Sequence, residues 1–486
     1  MDTVEAKNIA YKLLIDGNWV DPAAGETIPV LSPSTGTAFA TLARGKAEDV
    51  DRAVKAARKA FEGPWGKVTA AERGRILSKM AGKILERAEH VAQLEARDNG
   101  KPLTQARADM QVTARYFEYY GGAADKLHGQ VIPFLEGYSA TVVREPYGVT
   151  AHIIPWNYPA QMFGRTIAAS LAVGNACVLK PAEDACLSSL ELARIATEVG
   201  LPPGVLNVVT GYGEEAGAAL SSHPDVNLIS FTGSPEVGTL VQQAAAKHHV
   251  PCVLELGGKS PQIIFADADL EKALPVVARA ITQAAGQTCS AGARLLVQES
   301  VYDKFVAMVA ERFKQLRVGT HDMDLDVGPV INPQQKKRIE GYVKQALDSG
   351  VPLLAEGFLA PNLPSGGYFV KPALFGPVPR NHVLACEEVF GPVLSALAFK
   401  DEEDAVRLAN ATDYGLVGAV WTADGGRQQR VSKRLRCGQV FINCYGAGGG
   451  VELPFGGTKK SGHGREKGFL ALEHLSTTKT VVNYHG

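Results

Sequence analysis

From Val149 onward the chain alternates short apolar runs with amphipathic helical patterns, and this alternation restricts the fold more than any other feature of the sequence. Val149 to Ile154, Ala176 to Leu179, Val205 to Val209, Leu228 to Thr232 and Cys252 to Leu256 are strand candidates. Their starts lie far enough apart to admit a crossover helix, and intervening stretches such as Leu187 to Val199 and Glu236 to Lys247 carry apolar residues at helical spacing. Such a βαβ series predicts a parallel sheet covered on both faces, with ligands at the carboxyl ends of its strands.

The flanking sequence has its own texture. Glu48 to Ala60, Ala70 to Leu94 and Gln105 to Lys126 read as amphipathic helices that pack as a cover. His128 to Pro133 and Ser139 to Arg144 read as strands of an arm, broken by Gly and Pro. A second α/β alternation follows Glu255: Ile263 to Phe265, a helix from Leu270 to Ala284, Leu295 to Gln298, and a helix from Val301 to Leu316. A loop-rich region spans Pro361 to Pro379, and an αβ unit spans Glu402 to Trp421. Thr477 to Tyr484 is a terminal strand expected to pair with the early arm, with pairing between subunits as one arrangement. A chain of 486 residues exceeds one hydrophobic core, so at least two domains are expected.

Bulk chemistry narrows the partners. Fifty basic residues against 51 acidic ones give no reason to expect nucleic acid or an anionic membrane. The run Pro146 to Gly164 is too polar and too broken by proline for a membrane helix. Met1-Asp2-Thr3-Val4-Glu5 does not resemble a secretory signal, and seven cysteines without CxxC spacing argue against a disulfide framework or structural zinc. A reducing, cytoplasmic setting is the expectation. The eleven histidines contain no HExxH, and His248-His249 suits a solvated helix end, so no metal site is expected.

Five stretches carry candidate chemistry. Cys289 lies in Gly286-Gln287-Thr288-Cys289-Ser290-Ala291-Gly292, where small neighbours let a substrate approach a thiolate. Lone cysteines are more often small buried hydrophobes, so the surroundings must decide. Lys180-Pro181-Ala182-Glu183 follows a strand and offers a cation and an acid to a ribose; the bland alternative is a solvated surface pair. Phe231 to Gly238 joins a glycine turn to a helix start that can bind phosphate, although Ser234 and Pro235 also read as an ordinary cap and first-turn proline. Glu255 ends a strand among apolar residues, where burial raises a carboxyl toward values useful for a general base. Asn157, in Pro155-Trp156-Asn157-Tyr158-Pro159, ends another strand and offers an amide to an oxyanion.

Taken in order, PWNYP (155–159), KPAE (180–183), FTGS (231–234), LELGGKSP (254–261), GQTC (286–289), EEVFGP (387–392) and PFGGTKKSGHGRE (454–466) make the chain resemble the NAD(P)-dependent aldehyde dehydrogenase superfamily from end to end. The resemblance implies an α/β fold with a Rossmann-type dinucleotide-binding domain (1–124 and 145–256), a catalytic α/β domain (257–453) and a small β arm (125–144 and 475–486) closing a homodimer or homotetramer. It implies Cys289 as nucleophile, Glu255 as general base and Asn157 as oxyanion donor. Lys180, Glu183, Gly233, Ser234, Glu388 and Phe390 would hold the dinucleotide, with Pro155, Trp156, Gly238 and Leu256 in the same site. A carboxylate at Glu183 suits the ribose hydroxyls of NAD and repels the extra phosphate of NADP, so NAD is the expected cofactor.

Departures from the family pattern bear on the substrate. Gln283 and Arg165 stand where many relatives carry an aromatic and an apolar residue, which predicts a polar pocket lined also by Tyr158, Met162 and Ser290. Arg165 resembles the pattern of succinic semialdehyde dehydrogenases and would meet a substrate carboxylate, unless a protein acid holds it instead. Gly446-Ala447-Gly448-Gly449-Gly450 predicts a roomy entrance able to admit an aromatic aldehyde. A coenzyme A-acylating enzyme, a silent relative that keeps the fold and a cysteine hydrolase are the competing readings.

Overall fold

A computed structural model describes residues 9–446 and 450–486. Met1 to Glu5 and Ala447 to Gly449 of the glycine run lie outside the described residues. The five predicted strands of the series form the parallel centre of an eight-stranded sheet. Its order runs Leu206–Val208, Ala176–Pro181, Val149–Ile154, Leu228–Thr232, Cys252–Glu255. The first strand in sequence is therefore central, and the order reverses between it and Leu228–Thr232, the place where a doubly wound sheet opens a crevice at its carboxyl edge.

Both edges of this sheet are completed from far away in the chain. The hairpin of Leu13–Ile15 and Asn18–Val20, which the apolar periodicity did not reveal, extends one edge antiparallel through Leu14 against Val208. Gly462–His463 pairs antiparallel with Leu254 and Glu255 on the other edge. Helices Ala47–Glu62 and Pro235–Ala246 pack on one face. The opposite face carries Pro159–Val173 and Leu187–Glu198, with Ala70–Glu86 and Leu103–Ala123 outside them. The predicted single helix from Ala70 to Leu94 is two, because the first ends at Arg87 and a second runs Ala88–Asn99.

The second sheet has seven strands in the order Leu353–Glu356, Ala373–Phe375, Val393–Phe399, Arg294–Gln298, Pro261–Ile264, Val417–Trp421, Gln439–Ile442. All neighbours are parallel except the first pair. Only Leu256 to Ser260 separates the last series strand of the first sheet from Pro261–Ile264 of the second. Ser476–Tyr484 pairs along its whole length with Tyr138–Pro146, which also pairs with Gln130–Ile132. This arm is closed within one chain, so the pairing entertained between subunits is corrected to an intrachain one. It leaves Val131, Phe134, Leu135 and Tyr484 exposed. No described helix is long and apolar enough to cross a membrane.

The helix Pro159–Val173 enters behind PWNYP, with proline in its first turn and Gly174 closing it at φ +108°. It is apolar on nearly every face because helices flank it as well as the sheet. Its start is held by buried charge. Glu95 accepts from the Ala160 N–H at 3.1 Å and from Ser188 Oγ at 2.7 Å. The Lys101 ammonium, without solvent contact, donates to Glu95 at 2.7 Å and to Asp109 at 2.6 Å. Removing one member of a buried ion cluster leaves the others uncompensated. Lys101→Met is therefore expected to lower unfolding free energy by about 3–5 kcal/mol, read as a fall in the urea midpoint.

Candidate active site

The segment before Cys289 is bent into an unusual path. Helix Leu270–Thr282 stops, and Ala284 (φ +49°), Ala285 (φ +54°) and Gly286 (φ +72°) all adopt left-handed backbone. Such a run costs free energy at each alanine and persists only where its surroundings enforce it. Here Gln105 accepts from the Ala284 N–H at 3.1 Å, and the Gln287 amide donates to Ala284 O at 2.9 Å while accepting from the Ile331 N–H at 3.0 Å. At Gly286 a Cβ would stand 2.2 Å from the Gly391 carbonyl oxygen, so no larger residue fits. The outcome is a half-buried Cys289 packed against Phe455, Leu416 and Val417. Burial pushes its thiol up to about 11, with the Arg165 charge opposing.

The PWNYP turn grips the same loop. Asn157 Nδ2 donates to the Gln287 carbonyl at 2.8 Å, which uses one of its two N–H groups. Asn99 fixes the turn by donating to the Trp156 carbonyl at 2.7 Å. Tyr158 Oη lies 2.9 Å from Thr288 Oγ1 and accepts from Gln283 Nε2 at 2.8 Å, with the Lys101 ammonium 4.5 Å from its ring centre. Gln283, expected in the substrate pocket, is thus bonded to Tyr158. Tyr445 Oη donates to the Ser290 carbonyl at 2.5 Å.

Glu255 is the last residue of its strand and is buried. Neither carboxylate oxygen has a hydrogen bond; Arg165 Nη2 lies 3.4 Å from one of them. Burial holds this carboxyl well above the usual range against the pull of Arg165. Arg165, 4% exposed in its side chain, also makes a close ion pair with Glu466, and its guanidinium lies 4.5 Å from the Phe455 ring centre. Its remaining nitrogen reaches the Met162 sulfur at 3.8 Å. The arginine expected to meet a substrate carboxylate is therefore already engaged by two protein acids, which corrects the picture of a free pocket cation. Lys467 also lies against Phe455, at 5.1 Å, and burial with the neighbouring Arg165 brings its ammonium down to about 7.

A second cluster lies along the carboxyl ends of the first sheet. Lys180, buried at the end of its strand, donates to Glu183 at 2.7 Å, so this pair is not two separate solvated groups. Gly233 N–H donates to the Glu255 carbonyl at 3.0 Å, and Ser234 caps the next helix by accepting from the Val237 N–H at 3.3 Å. A Cβ on Gly238 would fall 2.6 Å from the Leu256 side chain, so glycine here lets helix and strand meet closely. Glu388 accepts from the Gly258 N–H at 2.8 Å and burial raises its carboxyl to about 7. Phe390, at φ +57°, sets its ring edge-on to Trp156 with centroids 5.5 Å apart.

Glu466, Lys467, Asn99, Gln287 and Tyr445 were not singled out from the sequence. The one available signal was Arg465-Glu466-Lys467, three adjacent charges between Gly464 and Gly468, a pattern that solvated loops share. His248 and His249 are exposed beyond the end of helix Pro235–Ala246.

Comparison with known proteins agrees with this architecture. The profile of the aldehyde dehydrogenase family matches residues 19–481. The chain is 43% identical over 475 residues to aldehyde dehydrogenase family 2 member B4, mitochondrial, of Arabidopsis thaliana, covering 97% of this chain and 88% of that protein. A Burkholderia cenocepacia crystal structure assigned as an aldehyde dehydrogenase superposes with a TM-score of 0.97 at 58% identity, covering 98% of this chain and 100% of the other. Betaine aldehyde dehydrogenase from Staphylococcus aureus, crystallised with NAD+, superposes with a TM-score of 0.95 at 38% identity over 98% of this chain and 95% of that one. The chain belongs to the aldehyde dehydrogenase family and is an oxidoreductase of that kind.

Gly286 supplies a test of how the thiol is presented. Gly286→Ala adds a methyl against backbone in a left-handed conformation, so a loss of stability of at least about 1–3 kcal/mol is expected. Urea denaturation reads this loss. The rate of alkylation of Cys289 should change with it, because the strained run no longer fixes the loop.

Proposed function

We propose that the chain oxidises an aldehyde to the free carboxylic acid with NAD, through a covalent intermediate on Cys289. The observation that carries the reading is the meeting of the Cys289 loop, the Asn157 turn and the buried Glu255 around Phe455 and Arg165. The residues fit the dinucleotide: Lys180 and Glu183 can receive ribose hydroxyls, the helix start after Gly233-Ser234 offers N–H groups to phosphate, and Glu388 and Phe390 flank the approach to the thiol. When bound, the nicotinamide supplies the acceptor for the hydride that the substrate carbon gives up.

The remaining chemistry belongs to the chain. The Cys289 thiol releases its proton to solvent, and the thiolate sulfur adds to the carbonyl carbon. The second N–H of Asn157 is available to the oxyanion that results. Once the carbon is at the oxidation level of a thioester, Glu255 takes a proton from water, the hydroxide adds, and the sulfur leaves as thiolate. A carboxylate beside the thioester, its proton affinity raised by burial, favours hydrolysis over transfer to coenzyme A.

Aromatic and apolar side chains around Cys289, namely Phe455, Phe441, Tyr445 and Leu416, support an apolar or aromatic aldehyde. The pairing of Arg165 with two acids removes the support for a semialdehyde. We read residues 1–124 and 145–256 as the dinucleotide-binding domain, 257–453 as the catalytic domain, and 125–144 with 475–486 as the arm. The apolar residues that the arm leaves exposed suit a homo-oligomer contact, and seven free thiols suit a cytoplasmic setting.

The test is NADH formation across aliphatic, acidic and aromatic aldehydes, with and without coenzyme A. Cys289→Ala should abolish it, and a fully active Cys289→Ala would reject the mechanism. Glu255→Gln should keep the first turnover as a burst and lose steady turnover. The raised carboxyl of Glu255 must lose its proton to act, so kcat is expected to rise with pH through the folded-state value of this group and to fall below it. Cofactor choice is separately testable: Glu183→Gln removes a like charge from an incoming 2′-phosphate, so kcat/KM with NADP relative to NAD should rise on the order of tenfold. No change in that ratio would take Glu183 out of cofactor selection.

A further inference from the structure

Glu255 is buried, yet no hydrogen bond fixes either of its oxygens. A carboxylate in that condition is held by whatever charge and space surround it. On one side a Cβ at residue 456 would stand 2.8 Å from Glu255 Oε1, so Gly456 leaves just enough room. The charged groups facing it are Arg165 from helix Pro159–Val173, and Arg465, Glu466 and Lys467 from the segment after Gly464, with the Cys289 thiol beyond. Arg165 makes an ion contact with it, 3.4 Å from Nη2.

Arg165 has a neighbour at each nitrogen and on its flat face, although Nε and Nη2 make ion contacts without hydrogen bonds. Nε pairs with Glu466, Nη1 reaches the Met162 sulfur, and the flat face rests on Phe455. Glu466 is anchored in turn: its Oε1 accepts from Ser230 Oγ at 2.8 Å, and Ser230 Oγ accepts from Thr166 Oγ1 at 3.1 Å. The two acids therefore share one guanidinium unequally. Glu466 is tied to the sheet by a hydrogen bond, whereas Glu255 has no hydrogen bond and lies 3.4 Å from the arginine.

We propose that Arg165 is a positioning residue for the general base: fixed on Glu466 and Phe455, its guanidinium tethers the Glu255 carboxylate and favours the ionised form. Glu466 opposes it by drawing the same cation away and adding a like charge. An arginine cannot pass a proton on at these pH values, so it acts by placement and field alone. This inference rests on the reading of Glu255 as the base. It also accounts for a buried cation in a pocket that needs none for a neutral aldehyde.

The experiment measures kcat and KM against pH for Arg165→Met, Arg165→Lys and Glu466→Gln, with one neutral aldehyde and with succinic semialdehyde. For Arg165→Met the acidic limb of kcat should move up by about 1–3 pH units. At neutral pH, kcat should fall by the same factor for both substrates, with KM nearly unchanged and the first-turnover burst kept. Arg165→Lys should restore part of the shift. Glu466→Gln should move the limb down, a sign that loss of packing does not produce. If Arg165→Met does not fold, Arg165→Lys and Glu466→Gln still bracket the wild type from opposite sides.

A KM rise confined to the acidic aldehyde would overturn the proposal in favour of substrate binding, and limbs that stay in place in every variant would overturn it outright. The protonated-carboxyl infrared band that Glu255→Gln deletes, titrated in the cofactor-free protein, separates this inference from the reading beneath it. Absence of NADH with every aldehyde would reject the enzymatic reading while the infrared titration still decides the tether. A band that titrates at the same pH with and without Arg165 would reject the tether whatever the activity.

Discussion

The short crossing from the first sheet to the second, Leu256 to Ser260, is the constraint on which the rest hangs. The chain leaves Glu255 at the end of one strand and must start another at Pro261. Three separate pieces of the protein grip the crossing between them. Ser461 accepts from the Leu256 N–H through its carbonyl at 3.1 Å and donates from its hydroxyl to the Gly257 carbonyl at 2.6 Å. Glu388 holds the Gly258 N–H, and a Cβ on Gly257 would stand 2.2 Å from its Oε2. A Cβ on Gly258 would stand 2.4 Å from the Cys289 carbonyl oxygen. Base, thiol loop and Glu388 are thus brought together around two residues that have no side chain, so their spacing is set by backbone contact.

Charge does the finer placement, and at a cost that apolar residues would not incur. Burying an ion removes its hydration, and a pair recovers this only with good geometry. The cluster of Lys101, Glu95 and Asp109 has that geometry, with three direct hydrogen-bonded contacts onto the start of helix Pro159–Val173 and between its members. The cluster at Arg165 is less complete, because Glu255 keeps both oxygens free of hydrogen bonds. An incomplete shell is poor for stability and useful for a group that has to gain and lose a proton. The two clusters lie at successive stages of one helix: the first fixes where it begins, and the second uses a residue about one and a half turns further on.

Much of this was legible beforehand because it is periodic or local. The five strands of the series were placed to within two residues, since strands buried on both faces read as continuous apolar runs between helical patterns. Cys289, Glu255 and Asn157 stood out by chemistry at strand ends and in a small-residue loop. The hairpin at Leu13 to Val20 and the pair at Gly462–His463 stayed hidden, because such short strands carry too few residues for a period and join the sheet through partners about 200 residues away. Arg165 shows the same limit in its chemistry. Nothing in the run Met162 to Thr166 tells that Glu466, far along the chain, will arrive to hold it.

Four of the ten described non-glycine residues with left-handed backbone lie at the site. Alanine has no reason of its own to adopt left-handed backbone, yet Ala284 and Ala285 do so consecutively just before the thiol. Phe390 beside Trp156 and Lys467 beside Phe455 are also left-handed, and each lies next to the proposed chemistry. Gln105, Gln287 and the Ile331 N–H enforce the first of these departures, while Gln335 donates to the Phe390 carbonyl at 2.6 Å at the second. Gln287, which spends both ends of its amide on backbone, and Gln105 and Gln335, which each spend one end there, are therefore part of what presents the sulfur, though none of them need touch a substrate. A loop that relaxed to ordinary backbone would carry the same residues past Phe455 at different positions, and the acid, amide and thiol would no longer face one another.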